Sequence, residues 1–234
     1  MDYSKEFKNY AIKHMGVSSL DFHYWEKLQD KLYGVNSSMT PYVLEEREMR
    51  YTQIDIFSRM MMDRIIWLAG PVNDSMSTVV QAQLMFLDNL DNKDITLHID
   101  SPGGSVKSGL SIVDVIDYVS SDIITVNTGM AASMGSVLLG AGTVGKRSSL
   151  PHAKVMIHQS SGGAEGHIMD AEITWEEWKK TNQILFELLG SYCGKTAEQV
   201  IKDANRDMWL TAEEAVNYGI IDNVIKNKVK GKKK

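Results

Sequence analysis

The sequence predicts an α/β layer protein built on a largely parallel sheet, and two observations carry that expectation. Short apolar runs of strand length alternate four times with amphipathic runs of helical period. The runs are separated by Gly- and Ser-rich breaks, most clearly "SPGG" at 101–104 and "GMAASMGSVLLGAG" at 129–142. Taken alone, the pattern suggests an open, doubly wound sheet. In such sheets chemistry gathers where strands end and helices begin. Two junctions therefore matter, Asp100 to Ser105 and Thr128 to Ser136.

Each element follows from local composition. "RIIWLAG" (64–70) is a buried strand stopped by Gly70-Pro71. "DSMSTVVQAQLMFLDNL" (74–90) opens on an Asp/Ser cap and sets Met76, Val79, Val80, Leu84 and Leu87 at helical spacing. "DITLHID" (94–100) alternates as a strand does, and "SVKSGLSIVDVIDYV" (105–119) returns to the helical period. "DIITVNT" (122–128) is a third strand, with the small-residue segment after it. "KVMIHQ" (154–159) is a fourth, followed by the Gly-rich "SSGGAEGH". "DAEITWEEWKKTNQILFELLG" (170–190) is the longest helix, and two shorter ones begin at Thr196 and Thr211.

With 234 residues the chain can bury a substantial core, and one main domain is expected. Residues 1 to about 40 are polar, aromatic and weakly periodic, which suggests an appended segment. The tail "KNKVKGKKK" (226–234) carries six lysines and reads as solvated and disordered. A net charge of −5 argues against a nucleic-acid partner. The single cysteine, Cys193, forms no internal disulfide and is read as a structural thiol rather than a nucleophile. No run reaches the roughly 18 apolar residues of a membrane span. The N-terminus lacks the apolar core of about 7–15 residues that marks a secretory signal. A cytoplasmic protein is the expectation.

Three chemistries compete. "GAGTVGKRS" places Gly140, Gly145 and Lys146 as a phosphate loop does, but Arg147 stands where Ser or Thr should hold Mg²⁺. The order is also inverted, with a helix before the loop and a strand after it. Metal binding finds no support, since none of the six histidines pairs at helical i, i+4 spacing and no cysteine cluster exists. Nucleophilic catalysis fits better. Ser133 lies in "AASMG", a near variant of the G-x-S-x-G elbow with Ala131 replacing the first Gly. Such a turn exposes the serine, demands small neighbours and aims the next backbone N–H, from Met134, at any oxyanion formed there. "SPGG" offers further free N–H groups on a second turn. Pattern alone leaves His152 and His158 both open as the base, and any of 30 carboxylates as the acid.

Together, "DSPGGSV", "GMAASMGS", "KVMIHQ" and "NRDMWLTAEEAVNYGIID" closely resemble the proteolytic subunits of the Clp protease. The resemblance covers about residues 41–225, with motifs in the family's order. Its intervals of 25 residues from serine to histidine and 49 from histidine to aspartate also match. It implies Ser133 as nucleophile, His158 as general base and Asp207 as the acid that orients the histidine. Asp170, the more obvious acid just beyond the histidine loop, does not match. Gly104 and Met134 correspond to the backbone donors of the oxyanion hole, and Arg206 to an arginine used between rings. Val106 and the Gly162–Gly163 run correspond to residues that pair with extended substrate backbone.

The resemblance also replaces the open sheet with a crotonase-like spiral of repeated ββα units and a long handle helix, fitted by "DAEITWEEWKKTNQILFELLG", in a handle region at about 160–190. Residues 41–60 would form an axial segment, and 1–40 a propeptide longer than usual, cut around Ser37–Met39. Family members form tetradecamers of two stacked heptamers. AAA+ unfoldase ATPases such as ClpX, ClpA or ClpC dock on the outer faces and feed unfolded polypeptides inward. No cofactor is implied for this chain, ATP being used by the partner. Ser160 departs from the family pattern, since many relatives carry Pro there. The rival expectations are an acyl-CoA hydratase or isomerase on the same spiral, a signal-peptide peptidase, and a catalytically inactive ring subunit.

Overall fold

The computed structural model describes residues 42–47, 50–162 and 167–226. The N-terminal extension, the expected cleavage region Ser37–Met39, Gly163 and the basic tail beyond Lys226 lie outside the described residues. The chain divides into two units, Met1–Ile56 and Phe57–Lys234. In the first, β1 (Tyr42–Arg47) and β2 (Arg50–Asp55) pair antiparallel, from Tyr42 opposite Asp55 to Arg47 opposite Arg50. This hairpin falls in the stretch expected to be axial.

The second unit, which α1 (Ile56–Met62) leads into, holds the mostly parallel sheet. Its strands are β3 (Ile65–Ala69), β4 (Ile95–Ser101), β5 (Ile123–Ala132), β6 (Arg147–Ser149), β7 (Lys154–Ile157), β8 (Met208–Thr211) and β9 (Asn223–Val224). The order β3-β4-β5-β6-β9 is parallel throughout. Strand β5 then forks. Thr125–Asn127 pair with β6, whereas Met130–Ala132 pair with β7, which carries β8 antiparallel on its far side.

The fork has a visible cause. Between Ile99 and Ser101 of β4, the chain of β5 advances from Asn127 to Ala131, four residues against two. An irregularity of this kind bends and twists the strand locally. The second half of β5 therefore turns to a new neighbour, and the open sheet suggested by the pattern becomes the spiral. Strand β5 also continues past Thr128, because Asp100 Oδ1 accepts from the Met130 N–H at 3.0 Å and packs where a Cβ at Gly129 would stand, 2.6 Å away. The residues expected to form a turn are strand up to Ala132.

Helices α2 (Asp74–Leu90) and α3 (Val106–Tyr118) cover one face. Asn73 caps α2 by accepting from Met76 N at 2.9 Å, so the cap lies one residue before the expected Asp/Ser pair. Val80, Leu84 and Leu87 enter the core, but Val79 is 55% exposed and leaves the expected stripe. Leu68, Leu84, Ile95, Leu97, Ile99, Ile112, Leu138 and Leu139 are fully buried. Each such side chain contributes about 1.5–3 kcal/mol relative to exposure.

Helix α5 (Ile168–Cys193) is anchored at one end only. Its buried residues are Leu185, Phe186, Leu189 and Gly190, and Gly194 closes it at φ +65°. The preceding turns stand clear as a handle and expose Ile168, Met169, Ile173 and Trp175. Helix α4 (Met134–Gly140) is buried along its whole length, α6 (Ala197–Asp203) starts from the Thr196 cap, and α7 (Ala212–Tyr218) starts from a Thr211/Glu214 capping box. Among the described residues no helix is long and apolar enough to cross a membrane.

Candidate active site

Three adjacent strands end at one point, and the candidate residues are the first residues beyond them or just before them. Ser133 follows Ala132, the last residue of β5, and opens α4. Its backbone takes φ +54° and ψ −121°, a conformation that a non-glycine residue holds only when its surroundings enforce it. The enforcement is present. Ser133 N donates to Met156 O at 2.8 Å, and its carbonyl accepts from both Ser136 N (2.9 Å) and Ser136 Oγ (2.6 Å). The Ser133 side chain makes no capping bond, so its hydroxyl points away from the helix. Ser136, by contrast, is fully buried and spends its hydroxyl on the turn.

His158 follows β7, and its Nε2 lies 2.9 Å from Ser133 Oγ. The other ring nitrogen, Nδ1, is 3.3 Å from Asp207 Oδ1. Asp207 immediately precedes β8, and the β7–β8 ladder ends with Ile157 opposite Met208. Extending the register by one step brings His158 opposite Asp207. Of the two candidate histidines, His158 is the one brought to Ser133, and His152 lies exposed in the turn before β7. Asp170 lies in the first turn of α5, not in this contact.

Gly104 and Met134 provide backbone donors beside Ser133. Gly104 forms a parallel bridge with Val72, in which Val72 N donates to Gly103 O and Ser105 N donates to Val72 O, both at 2.8 Å. That pattern leaves the Gly104 N–H directed the opposite way. Only glycine fits there, because φ is +147° and a Cβ would stand 2.3 Å from Val72 O. Gly103, at φ +91°, sits so close to the Ser133 turn that a Cβ would meet Ala132 O and Ser133 Cβ at 2.7 Å each. The Met134 N–H belongs to the first turn of α4, where backbone donors have no helical partner. The Met134 side chain is buried against Gly109 of α3.

These groups face a cleft lined by Val106, Val137, Leu185, Phe186 and Leu189 together with Ser133 and His158. One side of it is apolar, and Ser160, Ser161 and Asn182 add polar groups to the lining. Val106, expected to touch substrate backbone, lines the cleft. Gly162 instead lies against Trp178 of the handle, where a Cβ would be 2.6 Å from the ring. The expected strand "KVMIHQ" ends at Ile157, and residues 158–162 are irregular. They find no strand partner and hydrogen-bond to α5 through Ser160 and Asn182, two residues the sequence reading did not place in the site. The Ser-for-Pro departure at 160 was a signal for Ser160, and nothing marked Asn182. Arg206 is exposed beside Asp207.

Two other sequence features are accounted for structurally. In the phosphate-loop look-alike, the Gly145 N–H is taken by Asp222 Oδ2 at 2.8 Å. Lys146 Nζ is held by Asp94 and Asp122 at 2.7 and 2.8 Å. Burial pushes the Cys193 thiol up to about 11, against the smaller opposing pull of Arg147 and Lys195, so it is a poor nucleophile.

Comparison with known proteins identifies the family. The Clp protease family model matches residues 46–228. The ATP-dependent Clp protease proteolytic subunit of Bacteroides fragilis (strain YCH46) is 47% identical over 221 residues, 94% of this chain and 98% of that protein. The protein of the same name from Bacteroides thetaiotaomicron is also 47% identical, with the same coverage of each chain. That from Porphyromonas gingivalis is 46% identical over 94% of this chain and 97% of its own length. A forked, mostly parallel sheet, a handle helix and a serine–histidine–aspartate arrangement at the strand ends thus coincide with near full-length similarity, and the chain belongs to the Clp protease family.

Proposed function

We propose that the chain is the proteolytic subunit of an ATP-dependent Clp protease, a serine endopeptidase that hydrolyses unfolded polypeptides to short peptides. The observation that carries the reading is the relay of 2.9 Å from Ser133 Oγ to His158 Nε2 and 3.3 Å from His158 Nδ1 to Asp207 Oδ1. His158 takes the Ser133 proton as Oγ attacks the peptide carbonyl, then returns it to the leaving amine. Asp207 holds the imidazole tautomer and stabilises the imidazolium. The Gly104 and Met134 N–H groups receive the oxyanion, and the N-terminal end of α4 adds its partial positive charge. Water admitted to the cleft then hydrolyses the acyl-enzyme by the reverse proton path.

The assembly is a tetradecamer of two stacked heptamers, supported by a handle whose exposed Ile168, Met169, Ile173 and Trp175 suit a protein partner. Arg206 lies between the rings. The chemistry needs no cofactor in this chain. Lys146 is engaged by two carboxylates, and ATP is consumed by a docked AAA+ unfoldase. Turnover takes place in the cytoplasm, with residues 1–40 removed around Ser37–Met39. An acyl-CoA hydratase would not need the Ser133–His158 contact, and an inactive ring subunit would not hold Ser133 in a strained turn.

The test combines sedimentation, fluorogenic peptide hydrolysis and intact-mass analysis of wild type and Ser133→Ala. A double-ring particle that cleaves peptides, and a segment shortened only in wild type, are the expected results. A monomer that cleaves peptides well would contradict the assembly, and an assembled but inert wild type would contradict the activity.

A further inference from the structure

Beyond His158 the chain leaves its strand, and its next fixed point lies on a different element. The β7–β8 ladder ends at Ile157. Two residues past His158, Ser160 donates its backbone N–H (3.3 Å) and its hydroxyl (2.7 Å) to one acceptor, Asn182 Oδ1. An amide oxygen has two lone pairs and satisfies both donors. His158 is therefore suspended between a strand end and this clasp, with Gln159 as the intervening link.

Asn182 occupies a particular place on α5. It precedes Leu185 and Phe186, where the helix enters the core, and follows the exposed turns of the handle. One turn earlier, Trp178 packs against Gly162. Residues at i and i+4 share a helix face. The 160–162 segment thus runs along one face of α5, pinned by Asn182 at one end and Trp178 at the other. Ser160 and Asn182 also line the cleft together with His158.

The restraint matters because the side-chain support of His158 is slight. Its Asp207 contact is 3.3 Å long, and the Asp207 side chain is 62% exposed. The geometry points to Ser160 and Asn182 as positioning residues: their clasp holds the backbone after His158, so that Nε2 stays within hydrogen-bond reach of Ser133 Oγ. This inference rests on the reading of Ser133 and His158 as nucleophile and base. It also explains what the Ser-for-Pro departure does, since proline has no N–H to give to Asn182.

The test uses the assembled full-length protein. Fluorophosphonate labelling rate at Ser133, kcat and KM for a short fluorogenic peptide, and particle size are measured for five variants. Asn182→Leu, which removes the acceptor, lowers labelling rate and kcat by about 10- to 100-fold, the scale of a misplaced reacting group, with KM little changed. Ser160→Ala keeps its N–H and loses less. Ser160→Thr and Asn182→Asp preserve the bonding groups and restore the rate to near wild type. The double variant Ser160→Ala with Asn182→Leu is no slower than Asn182→Leu alone, because both act through one contact. An assembled Asn182→Leu particle that labels and turns over like wild type overturns the clasp, as does a double variant that accumulates both losses. If Asn182→Leu fails to assemble, Ser160→Ala decides: full activity overturns the clasp, and a loss rescued by Ser160→Thr supports it. A wild type that never labels at Ser133 overturns the reading of the site itself, and the clasp with it.

Discussion

Ile157 and Met208 are the last partners of the antiparallel β7–β8 ladder, and the next pair along the same register is His158 and Asp207. Residues 49 positions apart in sequence meet because a backbone ladder brings them together. Replacing Asp207 with Asn should leave this register intact while exchanging an acceptor-only carboxylate for a neutral amide that can donate and so favours the wrong ring tautomer. Turnover is expected to fall by about 10⁴-fold, as it does when a triad acid becomes an amide. Peptide hydrolysis by particles of normal size checks this. A loss below tenfold would mean that the exposed Asp207 does not orient the histidine.

Removing the nucleophile should cost more. Ser133→Ala is expected to lower kcat by roughly 10⁴- to 10⁶-fold without unfolding the chain. Alanine must still occupy the left-handed turn at φ +54°, so a small change in thermal midpoint accompanies the change. Calorimetry beside the kinetic assay separates the two effects.

Gly104→Ala tests the oxyanion donor and the backbone that carries it. The added methyl would collide with Val72 O at 2.3 Å in a conformation that alanine disfavours. A stability loss of about 1–3 kcal/mol is expected from the strain alone. Moving this donor should cost a further 10²- to 10³-fold in turnover, roughly the effect of losing one oxyanion-hole group. Acyl-enzyme formation measured by burst kinetics should slow together with steady-state turnover.

The site was legible in the sequence wherever it depended on local backbone. "AASMG" announced a turn that exposes a serine, and "SPGG" announced a second turn with free N–H groups. The base and acid were not legible from pattern, because register between β5, β7 and β8 chooses them, and β8 is only four residues long. The resemblance supplied what periodicity could not. The fork of β5 was hidden for a related reason: it depends on how four residues lie against two of β4, which no single-strand pattern records. Val79 misled because helical spacing marks a face but not the edge at which burial stops.

Arg147 and Asp222 give a pH prediction away from the site. Arg147 Nη2 lies 2.6 Å from Asp222 Oδ1, and Asp222 Oδ2 accepts from the Gly145 and Arg147 N–H groups, which secures the segment leading to β9. Partial burial would raise the Asp222 carboxyl, but the Arg147 contacts together outweigh it and hold the group below its ordinary 3.8. The folded value is below the unfolded one, so this stabilisation is complete above about pH 4 and drains away as pH falls through the folded value. Arg147→Gln leaves Asp222 desolvated without its cation. The variant should lose about 3–5 kcal/mol at neutral pH. Protonation of Asp222 relieves that unpaired charge, so the deficit relative to wild type should shrink as pH falls. Thermal unfolding across an acid-to-neutral series measures both effects.

The central claim is that Ser133 is a nucleophile activated by His158, and reaction with a fluorophosphonate tests it most directly. The account predicts a single adduct, mapped by peptide mass spectrometry to Ser133 of the assembled particle and abolished in His158→Ala. An assembled wild-type particle without that adduct, or with the adduct on another serine, would contradict it.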